Sequence, residues 1–214
     1  MKYVNPEEFI ETEFSEKVQR KFYRAISSAY ANSLKIIEKH PGLNWMIGKE
    51  ILPHIKRVLI EYELQEMCKS NILPYDFRTA SNKSDNCLHL EIRASNSILT
   101  VSYVSREKSM PRDAIFREDL GIFNNQTSMF DSEKELNGPY HLLLTHGTRG
   151  EKPKFVYIGM PNTDARSWMA NIPIHKKTFD VIHEQDTVTE VEHDYDLDVR
   201  EEYLVKQGVL NSEE

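Results

Sequence analysis

Three residues at alternate positions, His89, Glu91 and Arg93, bring an imidazole, a carboxylate and a guanidinium together in the run Leu88-His89-Leu90-Glu91-Ile92-Arg93. Strict alternation with apolar neighbours predicts a strand, on which residues two and four apart share one face. Thr100 and Ser102 fall on the same face of the next predicted strand. His141 and Thr145 join them if a second hairpin extends the same sheet. Such a set could carry acid–base chemistry or hold a divalent metal. The plain alternative is the solvated polar face of an antiparallel sheet.

Glu91-x-Arg93 resembles the Glu-x-Lys half of metal-dependent nucleases. That resemblance implies catalysis by His89, Glu91 and Arg93 with magnesium or manganese, the acid binding the metal and the cation steadying a phosphate. Arginine stands here in place of lysine, and only Asp76 and Asp85 could serve as the upstream aspartate.

A second constellation is basic. Arg106, Lys108, Arg112 and Arg117 follow the first predicted hairpin, and Arg149, Lys152 and Lys154 crowd the tip of the second. Two cationic loops on one edge are an electrostatic footprint for nucleic acid. Lys17, Arg20, Lys21 and Arg24 offer a third basic stretch. Glu107, Asp113, Glu118 and Glu151 interrupt the loops, as they would in ordinary solvated segments. No P-loop, GxGxxG, HExxH, GxSxG or CxxC pattern occurs. No histidines pair at a metal-ligand spacing, and the two cysteines, Cys68 and Cys87, read as reduced and buried. Trp45 and Trp168 read as core anchors.

The elements that must position these residues follow from periodicity. Ile10, Phe14, Val18, Phe22, Ile26, Tyr30, Leu34 and Ile37 form one apolar stripe, which predicts a helix from about residue 6 to 39. Pro53 restarts a helix whose buried face is Ile55, Val58, Leu59, Tyr62 and Met67. Residues 86–104 read as an antiparallel hairpin, with Tyr75–Thr79 as a preceding edge strand. Asp113–Phe123 reads as a short helix. Tyr140–Thr145 and Phe155–Met160 form the second hairpin, Trp168 sits in a turn or short helix, and Ile172–Ile174 extends the sheet. The expected fold is α+β: two N-terminal helices on a mainly antiparallel sheet built from two hairpins.

Charge divides the chain into a domain, 1–183, and an acidic tail, 184–214. The tail holds eleven acids against two bases, while the remainder has 25 bases against 23 acids. Such a composition predicts a disordered tail that engages a basic protein partner or a basic surface of its own domain. The N-terminus carries acids where a signal peptide has an apolar run, and no stretch reaches the ~20 apolar residues of a membrane span. A cytoplasmic location follows as an expectation. With catalytic signatures missing and charge segregated, the leading functional expectation is a non-enzymatic regulatory or interaction protein that needs no cofactor. A nuclease and a plain DNA- or RNA-binding module are the alternatives.

Two stretches, His89–Arg93 through Pro111–Arg117, and Leu142–Gly147 with Phe155–Pro161 and Trp168, resemble bacterial proteins of unassigned function that sit among regulators and mobile-element genes. The likeness spans about residues 45–175. It implies a bacterial regulatory or defence setting and transfers no catalytic residue.

Overall fold

The first helix starts where Asn5 can cap it. The Asn5 side chain accepts a hydrogen bond from the Glu7 amide at 3.1 Å, and Pro6 occupies the first helical position, where no amide is needed. The computed structural model describes residues 5–82, 88–125, 138–147 and 150–174. Cys87, Asp85, Arg149 and the acidic tail therefore lie outside the described residues.

The expected single helix is two: α1 (Pro6–Glu13) and α2 (Glu16–Lys39). The chain leaves helical geometry at Phe14, which buries its ring against Phe22 and Tyr75 at 5.5 and 5.4 Å between centroids. The break lets α1 turn away to pack on the far end of the sheet while α2 continues against α3 (Leu52–Lys69). The buried face of α3 also differs from the expected one. Lys56, Leu59, Ile60, Leu64 and Cys68 point inward, whereas Val58 and Tyr62 are exposed and Ile55 and Met67 only half-buried. Residues 56, 60, 64 and 68 recur every fourth position, a proper helical stripe once Lys56 is admitted to it.

Six strands follow: β1 (Asp76–Ser81), β2 (Leu88–Arg93), β3 (Ser97–Tyr103), β4 (Tyr140–Gly147), β5 (Phe155–Pro161) and β6 (Trp168–Pro173). They lie side by side in chain order. Both hairpins are present and the edge strand is real, but Trp168 begins β6 rather than a turn or helix. The fold is α+β and the sheet is mixed. β3 and β4 run parallel, Tyr103 beside His146, while the other neighbouring pairs are antiparallel. Strands two and five thus run against the other four.

A parallel pair cannot be joined by a tight turn. Its connection here carries a short helix, α4 (Ile115–Gly121), and a 3-10 turn, Ile122–Asn125. It lies on the sheet face opposite α1–α3. The sheet therefore has a helical layer on one side and this crossover on the other. Leu90, Ile92, Leu99, Leu142, Leu144, Val156 and Ile158 build the core toward the helices.

Asn124 fastens the crossover. Its side-chain nitrogen donates to the carbonyls of His141 (3.0 Å) and Pro161 (2.7 Å), and its oxygen accepts from the His141 amide at 2.7 Å. Trp168 adds a second tie, donating to the Lys108 carbonyl at 2.8 Å while its ring lies on the bare backbone of Gly159, where a Cβ would come within 2.5 Å of it. Trp45, by contrast, is 54% exposed and anchors no core. No helix among the described residues is long and apolar enough to cross a membrane.

Replacing Asn124 with alanine strips partners from three buried backbone groups. Urea denaturation should show a loss of about 3 kcal/mol, the scale of several unsatisfied buried polar groups. A loss within about 0.5 kcal/mol, typical of surface sites, would show that the crossover is held by other contacts.

Candidate functional site

The polar face of the hairpin is not solvated. β2 presents His89, Glu91 and Arg93 to one side, and strand pairing sets Thr100 of β3 opposite Glu91. The crossover closes over most of this face, so Glu91 is only 3% exposed and His89, Thr100 and His141 are buried as well, while Arg93 stays exposed at the margin. That side was expected to face water. It is covered because β3 and β4 pair in parallel and the connection has to pass over it.

Glu91 is the centre of an ion cluster. Arg78 of β1, directly across the ladder, donates from Nε to Glu91 Oε2 at 2.6 Å, and Arg93 Nε stands 4.0 Å from the same oxygen. His89 Nε2 is 3.6 Å from Glu91 Oε1, too far for a hydrogen bond, and neither ring nitrogen has a hydrogen-bond partner among the described residues. The imidazole is instead stacked on Phe116 of α4, 4.1 Å between centroids. Burial pushes its pKa down, against the upward pull of Glu91 and with a further downward push from Arg117 and Arg57. Arg117 itself turns inward, donating to Ser102 Oγ at 3.3 Å and to the Arg112 carbonyl.

One strand further on, His141 Nε2 meets Thr100 Oγ1 at 3.0 Å. Full burial, with Arg117 and His89 nearby, lowers the His141 pKa to about 3, so the ring is neutral at physiological pH. A neutral imidazole bonded to a hydroxyl is the pairing that activates a nucleophile in many hydrolytic sites. Here both partners are sealed beneath the crossover, and the pair serves to satisfy two buried polar groups.

Magnesium or manganese asks for several oxygen donors with free lone pairs. Glu91 gives one carboxylate already bonded to arginine, and Asp76 sits opposite Arg93. No group of three His, Cys, Asp or Glu side chains among the described residues is placed to hold a metal ion. The donors among the described residues do not fit such an ion, and Asp85 lies outside them.

The basic loops fare differently. Because β3 and β4 are parallel, the loops after Tyr103 and after Gly147 leave the same end of the sheet. Arg106, Lys108, Arg112, Lys152 and Lys154 are all exposed. Arg117 is not one of this surface set, since its guanidinium is spent on Ser102 and Arg112.

Sequence reasoning missed a second buried cluster at that end. Tyr30 of α2 hydrogen-bonds His146 Nδ1 at 2.8 Å, and Lys56 Nζ lies 3.9 Å from the Tyr30 ring centroid while donating to the Gly150 carbonyl at 2.6 Å. Burial lowers the Lys56 pKa to about 8 and, with the Lys56 charge nearby, the His146 pKa to about 3. The one signal in the chain was Lys56 at stripe spacing from Ile60 and Leu64. Cys68 is likewise buried and free, its thiol pKa raised to about 11 by burial and by Asp76.

Two histidines held neutral give a definite pH dependence. In the unfolded chain each has a pKa near 6.5, and in the folded chain about 3. Between these values the unfolded state binds more protons, so stability rises with pH and is lost as pH falls from about 6.5 toward 3. Each contributes a slope of about 1.4 kcal/mol per pH unit within that window. Urea titrations at pH 7 and 5 should show the loss, and His146→Phe should reduce the slope by about one proton. Half the expected slope would mean that one ring is protonated in the folded chain, and a flat profile that both are.

No protein-family model, curated protein sequence or solved structure matches the chain, and the chemistry of its own surfaces must carry its functional reading.

Proposed function

We propose that the chain is a non-catalytic binding protein whose partner, another protein, docks on the corner where α2 passes into α3. The observation that carries this reading is an exposed apolar ridge. Trp45, Met46, Ile47, Ile51, Val58 and Tyr62 are all large and all exposed, Met46 to 84%. Ile51, Val58 and Tyr62 recur at seven and four positions, one face of a helix, and that face turns away from the core. Six large apolar side chains exposed within eighteen residues mark a segment suited to a partner. Lys49, Glu50, His54 and Arg57 edge the ridge, giving the apolar centre and polar rim of a protein interface. The arginine-bound state of Glu91 supports the same reading, since the carboxylate an enzyme would need is held in an ion cluster.

A polyanion-binding reading has one observation of its own, the shared exit of the two cationic loops. On that reading the tail of residues 184–214 competes for the basic surface. Deleting the tail should strengthen binding to single- or double-stranded DNA, by a factor that shrinks as salt rises. A scrambled tail of equal composition serves as the control. Equal affinity of the truncated and full chains at low salt would end that reading.

The ridge is tested by Met46→Glu combined with Ile47→Glu. Both side chains are exposed, so the melting temperature should change little. Affinity capture from the cell of origin, followed by titration of the purified captured protein, should show wild-type binding and at least about tenfold weaker binding by the variant. Undiminished binding by a folded variant would take the ridge out of the interface.

A further inference from the structure

The ridge continues along α3 into a groove of about 310 Å³ between that helix and the β1–β2 ladder. Val58 and Tyr62 form one wall, Thr79, Leu88 and Leu90 the other, with Arg57 and Glu61 beside them. Leu88 is 59% exposed at its rim. A space of this size lies at the low end for a small-molecule site and suits one or two apolar side chains.

β1 reaches this groove through Thr79 and is the outermost strand, with β2 its one strand neighbour among the described residues. Edge strands invite pairing, and proteins usually blunt them with proline, lysine, bulges or a covering element. The opposite edge, β6, has such protection: Pro173, a register irregularity at Met160/Pro161 and α1 packed against it. β1 has none of it. Its sequence, Asp76-Phe77-Arg78-Thr79-Ala80-Ser81, contains no proline, glycine or lysine, its register with β2 is regular over all six residues, and no residue of it is buried.

Resting on the reading of the ridge as a protein-binding surface, we propose that β1 receives an extended segment of the partner as an added strand, alternate side chains of which enter the groove beside Val58, Tyr62 and Leu88. Main-chain groups supply the pairing and the groove supplies selectivity. The other face of the added strand meets Arg78, whose side chain is 52% exposed, and Arg93, 44% exposed, near the single Glu91 carboxylate. The segment thus has apolar residues at one parity and an acid at the other.

The test uses the full chain as bait for a random peptide display library, followed by anisotropy titration of the enriched peptides. Peptides with period-two apolar spacing are expected. Leu88→Glu, at an exposed position, should weaken them by about tenfold or more while leaving the melting temperature unchanged. N-methylation of alternate peptide amides should abolish binding in one parity and spare it in the other, since only one edge of an added strand faces β1. Peptides with apolar residues spaced three and four apart, weakened by Met46→Glu and indifferent to Leu88→Glu, would overturn strand addition and leave the ridge reading intact. A library with no enriched binder would overturn both.

Discussion

The parallel pairing of β3 with β4 is the constraint on which the other features rest. Two parallel neighbours need a long return path, and in this chain the path crosses the sheet face that the helices leave open. That passage turns a polar strand face into an interior. Glu91, His89, Thr100 and His141 would each be ordinary on a wet sheet. Under the crossover each needs a partner or a neutral form, and the arginines, the threonine hydroxyl and the lowered imidazole pKa values are the answers found. The same pairing sends two basic loops out of one end.

Buried ion clusters seldom add much net stability, because desolvation of the charges offsets their attraction. The Glu91 cluster is only partly withdrawn from water, since Arg78 and Arg93 remain about half exposed and only the carboxylate is deeply placed. Its chief effect is on register. Shifting β1 by one residue relative to β2 would carry Arg78 to the opposite face and leave the carboxylate buried without its closest donor. Charge here acts as an alignment device for the one strand whose side chains contribute little to the core.

Much of the fold was legible in the residue pattern. The alternation in β2 and the Pro53 restart each state a local rule, and the structure obeys them. Two things were not legible. Helix α3 carries two competing apolar stripes, one through Val58 and Tyr62 and one through Leu59, Ile60 and Leu64. The second is buried, and Lys56, polar by type, joins it by meeting the Tyr30 ring and the Gly150 carbonyl. The cost of that choice is the exposed ridge. The direction of β4 was also hidden, because pairing between hairpins far apart in the chain leaves no local periodicity. His141 could be placed beside Thr100 only on the supposition that the hairpins share a sheet, and the covering of that face did not follow from the supposition.

The long connection from β3 to β4 also bears on how the chain is made. Helices α2 and α3, and strands β1, β2 and β3, are each separated from the next by few residues, so these contacts close over small separations in the chain. The β3–β4 ladder joins residues much further apart, and its closure entropy has to be met before its hydrogen bonds are gained. During synthesis, Thr100 emerges well before His141 and has no imidazole partner until the β4 segment has left the ribosome. The Thr100–His141 contact therefore forms later than the Arg78–Glu91 contact of the β1–β2 ladder, and β1–β3 wait as an open three-stranded sheet until the parallel neighbour arrives.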